Sequence, residues 1–308
     1  MTVLPYLDAA TVTAALTWPT AIDAIAAAVA VVDAVAAPAR TSVPIAAGEL
    51  LLMPAELGAT FGVKVLTIAP GNPAHGRPRI QGLYVLFDPR TCAPLAVLDG
   101  AALTALRTPA VSAFAVDQLA AAAASTLVVF GAGPQAEAHV HAIASIRALR
   151  SVTVVGRDQA HAGGLVDRLT TAGLDAVAGT DDAVASADIV VCATTAREPL
   201  FDGRLLAATG CVVAIGSHEP DARELDDTVL RRADLVVVED RATALRQAGD
   251  VIIAVDHGVL DVGRLIPIGE LAAAGRLHPS TGISVFKSVG MGWQDLAIAT
   301  AIATHALA

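Results

Sequence analysis

Three cationic side chains stand in apolar surroundings of an otherwise acidic chain: Arg40 in PARTSVPI, Lys64 in FGVKVLTI and Arg107 in LTALRTPA. Lys64 sits inside a strand-like apolar run. An ammonium facing a core costs on the order of several kcal/mol unless an anion meets it. A guanidinium grips a carboxylate through two parallel hydrogen bonds, and an ammonium adds a compact charge, so the three together suit a small carboxylate-bearing substrate. Spacing alone also allows a snorkelling lysine and two surface arginines.

A second constellation is FGAGPQAEAH, which follows the apolar run TLVVF. Gly131 permits a tight strand-to-helix turn, Gly133 lets backbone approach a pyrophosphate, and Ala136 takes the third small position, where helix and strand pack closely. The helix N-terminus adds unpaired N–H groups and a partial positive charge. This predicts a bound dinucleotide. At the end of the next strand-like run, SVTVVGRD presents Arg157 and then Asp158. An arginine there neutralises a 2′-phosphate, so NADP(H) is favoured, with NAD(H) left open through Asp158.

A third feature is AIGSHEPDARELDD, where an apolar run ends at Gly216 and presents His218. An imidazole titrates near neutrality and can hand over a proton. It can equally hydrogen-bond a cofactor or cap a helix starting near Pro220.

These groups need elements to hold them. From about Ser125 to about Asp256, continuous β-branched runs (TLVVF, SVTVVG, DIVVCAT, CVVAIG, DLVVVED) alternate with helical stretches, which predicts strands buried on both faces of a parallel, doubly wound sheet. The preceding segment reads as a mainly antiparallel or mixed sheet (RTSVPI, GELLLMP, FGVKVLTI, QGLYVLFD, APLAVLDG), followed by a helix around LTALRTPAVSAFAVDQLA. The tail FKSVGMGWQDLAIATAIATHALA ends in an apolar helix expected to pack back onto that first part. The fold class is therefore α/β, with a Rossmann-type domain at 118–284 inserted into a discontinuous α+β domain made of 1–117 and 285–308.

Composition narrows the partners. The net charge is −10, and no Lys/Arg cluster occurs, so neither nucleic acid nor an anionic membrane is expected. Mean hydropathy is high at +0.62. The most apolar long run, residues 21–37, carries Asp23 and Asp33 with Ile22, Ile25, Val29 and Val32 at helical spacing, which marks an amphipathic helix and not a span. The N-terminus has no basic region ahead of an apolar one, so a cytoplasmic protein is expected. Cys92, Cys192 and Cys211 lack ligand spacing and read as buried reduced thiols, with no metal expected.

Four motifs in register, LDGAALTALRTPAVSA, FGAGPQA, AIGSHEPDARELDD and FKSVGMGWQDLAIA, make the chain resemble the ornithine cyclodeaminase/mu-crystallin family over nearly its whole length. The resemblance implies a Rossmann domain inserted into a substrate and dimerisation domain, and a homodimer. It implies that Arg40, Lys64 and Arg107 hold a substrate carboxylate, that Pro134 and Gln135 lie over the pyrophosphate, and that Thr195 lines the cofactor cleft. Ser288 and Val289 would approach the nicotinamide and the substrate. Asp295, in GWQDLAIA, either closes the site, orients a basic residue or is a helix-face carboxylate.

The chain departs from the cyclodeaminase pattern at two places. His218 stands where those enzymes keep an aspartate, and Leu51 stands where they tend to keep a glutamate before a Met-Pro pair, here Met53-Pro54. Carboxylates suit a cationic diamine, whereas reducing an imine needs a proton donor, which His218 or Lys64 can be. The expected function is NAD(P)H-dependent reduction of a small 2-imino acid, of the ketimine or Δ1-pyrroline-2-carboxylate type. The alternatives are an ornithine cyclodeaminase, an amino-acid dehydrogenase such as alanine dehydrogenase, and a non-catalytic NADPH-dependent small-ligand binder like mu-crystallin.

Overall fold

The computed structural model describes residues 4–32, 40–275 and 282–306. It divides into two compact units, 1–111 with 291–308, and 112–290.

The first unit opens with β1 (Tyr6–Leu7), α1 (Ala9–Ala14) and α2 (Trp18–Val32). The expected helix over 21–37 is α2, and its continuation from 33 to 37 lies outside the described residues. Strands β2 (Thr41–Ile45), β3 (Gly48–Leu57), β4 (Thr60–Ile68), β5 (Ile80–Phe87) and β6 (Pro94–Asp99) follow as an antiparallel series, and β1 adds in parallel beside β6. The chain returns to this unit with a final helix, Gly292–Ala306, which packs on α2, β3, β4 and β5. Because side chains alternate along a strand, one face of the sheet collects Leu51, Met53, Leu66, Tyr84, Leu86, Ala96 and Leu98, all buried. Met53, Lys64, Tyr84 and Leu98 form one rung of it, so the pleat itself turns Lys64 inward beside Tyr84.

Helix α3 (Gly100–Leu119) begins in the first unit and ends in the second. Its start is capped by Asp99, whose Oδ1 accepts from the Ala102 N–H at 2.8 Å.

The second unit alternates strand and helix: β7 (Thr126–Phe130), α4 (Pro134–Ala144), β8 (Ser151–Val155), α5 (Gln159–Thr171), β9 (Ala176–Ala178), β10 (Ile189–Cys192) and β11 (Cys211–Ala214). It continues with α6 (Asp227–Arg232), β12 (Ala233–Val238), α7 (Arg241–Gln247), α8 (Gly249–Asp256), β13 (Leu265–Pro267), α9 (Ile268–Ala274) and β14 (Ile283–Lys287); the final helix is α10 (Gly292–Ala306). All eight strands are parallel, in the order β13-β12-β14-β11-β10-β7-β8-β9. Every residue of β10, β11 and β14 is buried. Each buried Val or Ile side chain contributes about 1.5–3 kcal/mol, which explains why these runs are apolar without alternation. The order reverses between β7 and β10, the switch point at which sheets of this kind bind ligands.

Three features differ from the sequence reading. Ile283–Lys287 is a central strand of the parallel sheet, so the chain leaves the second unit at Gly290, whereas 285 was the expected return to the outer domain. Cys92 is exposed, at a left-handed position (φ 57°) in a turn held by Asp88, while Cys192 and Cys211 are buried. No helix starts near Pro220, because α6 begins at Asp227 under an Asp226 cap. Among the described residues no helix is long and apolar enough to cross a membrane.

Candidate functional site

Lys64 and Arg107, the second and third of the sequence-predicted cations, meet on one carboxylate in the first unit. The Lys64 Nζ donates to Asp295 Oδ1 at 2.8 Å and to Thr104 Oγ1 at 3.0 Å. Arg107 reaches across from α3, donating through Nη1 to Gln294 Oε1 at 2.6 Å and placing Nε 3.4 Å from the same Asp295 oxygen. Lys64 is 1% exposed and Asp295 0%. Burial pulls Lys64 down from an ordinary value of 10.5 to about 8; Arg107 and Arg40 push the same way, and Asp295 opposes them. Arg40 itself is half-buried, just before β2.

Tyr84 Oη, Arg107 Nε and Asp295 Oδ2 of this cluster, and Thr108 Oγ1 next to Arg107 in α3, are buried polar atoms that make no hydrogen bond among the described residues. Orphans of this kind cost about 1–3 kcal/mol each and concentrate where a ligand completes them. Burial, seconded by Asp295, raises the Tyr84 phenol well above its ordinary value, so it remains a neutral donor. The cluster can therefore offer several donors and a surplus cation to a small carboxylate. Asp295 is a residue the sequence left undecided, and it proves to orient two basic groups. Thr104, Tyr84 and Gln294 carried no sequence signal at all, being ordinary members of a helix, a strand and a helix start.

The remaining sequence-predicted residues lie in the second unit, on loops and at the start of α4, at the carboxyl edge of its parallel sheet. Gly131 follows β7 with φ +111°, and a Cβ there would stand 2.5 Å from the Ala193 carbonyl oxygen. Gly133 is the N-cap of α4, makes no side-chain cap and has open space about its Cα, with Pro134 next. The free N–H groups of that helix end, an open glycine approach and the buried third small residue Ala136 fit a pyrophosphate. Gln135 adds a buried Oε1 with no hydrogen-bond partner among the described residues. One turn on, His139 donates from Nδ1 to the Gln135 carbonyl at 2.7 Å, so its Nε2 accepts from Ser112 Oγ at 2.9 Å; burial pulls this imidazole down to about 4, and it serves as a neutral anchor for the helix.

Arg157, after β8, is exposed. Asp158 beside it caps α5, with Oδ1 accepting from Ala160 N and His161 N at 2.8 and 3.1 Å. Thr195, after β10, is exposed, whereas its neighbour Thr194 bonds Glu224. Ser288, after β14, donates its proton to the buried Glu239 at 2.7 Å, so only its oxygen lone pairs remain for a ligand. Val289 packs against the core of this unit and gives its N–H to Glu239 at 2.8 Å. His218, after β11, is half-buried on a loop, and it caps no helix, because the next one, α6, starts at Asp227 and is capped by Asp226.

Comparison with known proteins is in line with this geometry. The pattern of the ornithine cyclodeaminase/mu-crystallin family matches residues 6–308. A Δ1-pyrroline-2-carboxylate reductase of Bacillus cereus is 34% identical over 273 residues, covering 85% of this chain and 83% of that protein. The ketimine reductase mu-crystallin of Mus musculus is 32% identical over 266 residues, covering 85% and 82%. Among solved structures, the Δ1-pyrroline-2-carboxylate reductase of Thermococcus litoralis in complex with NADH and L-proline superposes with a TM-score of 0.92 at 28% identity, over 99% of this chain and 98% of that one. These relatives are by name reductases of C=N bonds, and the chain belongs to the ornithine cyclodeaminase/mu-crystallin family.

Proposed function

We propose that the protein is an NAD(P)H-dependent reductase of a small 2-imino acid, of the Δ1-pyrroline-2-carboxylate or ketimine type. The observation that carries this reading is the buried Lys64, bound with Arg107 to one carboxylate and brought to about 8. When bound, the reduced nicotinamide supplies the hydride. Arg107 and Arg40 hold the substrate carboxylate. An ammonium has three donors, and Lys64 commits two of them to Thr104 and Asp295, so the third is left for the imine nitrogen. A group at about 8 is mostly protonated at neutrality and still acidic enough to protonate a C=N, which then accepts the hydride. His218, Thr195, Ser288, Gln135 and Val289 serve in this reading as contacts to cofactor and substrate at the sheet edge.

The ornithine alternative is disfavoured by one position. Leu51 is buried in an apolar cluster with Met53 and Leu66, so no carboxylate receives a second amine there. For the cofactor, the capping engagement of Asp158 and the exposure of Arg157 favour NADP(H) over NAD(H). Mixing the protein with NADPH or NADH and a panel of cyclic and acyclic 2-imino acids, and following the absorbance of the reduced nicotinamide, is expected to show turnover of a cyclic imine, faster with NADPH. No turnover of any member defeats the reading; ammonia release from ornithine without net cofactor change replaces it with cyclodeamination.

The partner side of the reading is a homodimer acting in the cytoplasm on a small carboxylate. The dimer is supported by the second face of the first unit's sheet, where Pro54, Val63, Val85, Val97 and Tyr6 form one continuous rung and Leu52, Val65 and Leu83 form the next. Tyr6 is 55% and Leu83 44% exposed. An apolar sheet face of this extent is normally covered. Light scattering is expected to give twice the chain mass, and Val85→Lys to give a monomer; a monomeric wild type at micromolar concentration contradicts the dimer.

A further inference from the structure

The chain from Ile215 to Asp226, which carries His218, contains no helix or strand, yet it is held by a buried network of charges. Glu224, 0% exposed, turns its carboxylate back on the sheet edge. Its Oε1 accepts from the Thr194 N–H at 2.9 Å and the Thr194 hydroxyl at 2.8 Å, and its Oε2 accepts from the Gly216 N–H at 2.7 Å. Thr194 precedes Thr195 in the loop after β10, and Gly216 lies two residues before His218 in the loop after β11. One carboxylate thus ties together the two loops that flank the β10 and β11 ends. Gly216 is fitted to this, since a Cβ would collide with the Thr194 carbonyl and with the Glu224 carboxylate itself.

Glu224 is fixed in turn from two sides. Asp250 Oδ1, on α8, accepts from the backbone N–H groups of Glu224 and Leu225 at 2.7 and 2.8 Å. Lys287, at the end of β14, pairs with Asp250 Oδ2 at 2.8 Å and donates to the Ser217 carbonyl at 2.7 Å. On the solvent side, Arg197 bridges the same two loops by pairing with Glu219 at 2.6 Å and Asp221 at 2.5 Å.

We propose that Glu224 is a positioning residue of the cofactor-binding edge, clamping Thr194 to Gly216 so that Thr195 and His218 are presented in one fixed arrangement to the nicotinamide dinucleotide. This rests on the nicotinamide part of the functional reading and is independent of which substrate is reduced. An ionised carboxylate is acceptor-only and serves all three donors; a protonated one turns an O–H toward a donor and releases one of the two loops. The charged or titratable groups facing Glu224 are Lys287 from β14, Asp250 from α8 and Cys192 from β10. Burial raises the Cys192 thiol well above its ordinary value, so it stays neutral. Burial, seconded by Asp250, raises Glu224 to about 7, while Lys287 and the Thr194 hydrogen bonds oppose. The clamp is therefore closed above about pH 7 and opens below it, and cofactor affinity falls as the pH drops.

The test is a titration of the protein with NADPH, read by nucleotide fluorescence, from about pH 5.5 to about 8.5, on wild type and Glu224→Gln. Wild-type Kd is expected to be lowest above about pH 7 and to rise below it toward a plateau roughly tenfold higher, reached when Glu224 is protonated. Glu224→Gln is expected to bind roughly tenfold more weakly with no pH dependence, because its amide cannot accept from both loops. In hydrogen exchange of the free protein, the variant should exchange faster in peptides spanning 193–200 and 214–226 and unchanged in the rest of the parallel sheet. A wild-type Kd constant across the range, a variant with wild-type affinity, or faster exchange throughout the sheet overturns the inference, the last by marking a merely structural role. If the variant fails to fold, the wild-type profile decides alone. NADPH binding without turnover of any imine defeats the proposed reaction and leaves this inference standing; no binding of NADPH or NADH overturns both.

Discussion

Asp295→Asn is expected to lower the stability of the protein by about 3–5 kcal/mol at neutral pH, the cost of removing one partner from a buried ion pair. The residue is 0% exposed and is met by Lys64 at 2.8 Å and Arg107 at 3.4 Å, so the substitution leaves two buried basic groups without their shared counter-charge. The pH dependence identifies the cause. The folded-state value of Lys64, about 8, lies below its ordinary 10.5. Between these values the unfolded chain binds more protons than the native one, so stability rises with pH there; below about 8 both states are protonated and the burial cost is constant. Asp295 offsets part of that cost. Without it, burial, Arg107 and Arg40 act on Lys64 unopposed and its proton is lost at lower pH. The destabilisation should be larger at about pH 7 than above about 8, where Lys64 is neutral in both proteins. Urea unfolding of both proteins on either side of that value checks this. Equal loss at both pH values would mean that packing, and not charge, is what Asp295 contributes.

What the sequence made legible was local. The glycine turn could be read because Gly131, Gly133 and Ala136 act within one strand–turn–helix, and each needs only its neighbours to define it. Lys64 could be read because a cation in an apolar run is anomalous without knowing its partner. The partner itself was not legible: Asp295 lies 231 residues away, and only the packing of α10 on β4 brings them together. The same limit explains β14. A run ending in lysine looks like an edge or a linker until Asp250 is found beside Lys287 in the interior. The stretch SHEPDAREL looks like a helix start, with acidic residues after a proline. Its backbone donors are instead taken by Asp250, and its Glu224 is spent on Thr194 and Gly216, so the segment is an ordered loop. In each case the missing information was the counter-charge, which distant parts of the chain supply.

Lys64→Arg is expected to reduce kcat/KM for imine reduction on the order of 10²- to 10⁴-fold, the range that a positioned general acid contributes. The substitution keeps a positive charge beside Asp295 and Arg107, so the substrate carboxylate is still attracted. It removes a proton that can be given away, because a guanidinium does not titrate in this range. The loss should therefore fall mainly on kcat, with KM changed little. The wild-type profile supplies the second signature. Reduction needs the protonated amine, so kcat/KM should fall tenfold per pH unit above about 8; oxidation of the corresponding cyclic amino acid needs the neutral amine and should rise through the same value. Both limbs should be absent in Lys64→Arg. The control is His218→Asn, expected to cost roughly tenfold or less and to keep the limb near pH 8, since the half-buried imidazole is assigned to contacts at the sheet edge. A His218→Asn protein that loses about 100-fold or more in kcat, beside a Lys64→Arg protein that turns over normally, would transfer the proton to the histidine. It would leave Lys64 and Arg107 as the carboxylate grip alone, and it would make the exchange of aspartate for histidine at that strand end the step that separates reduction of an imine from cyclisation of a diamine.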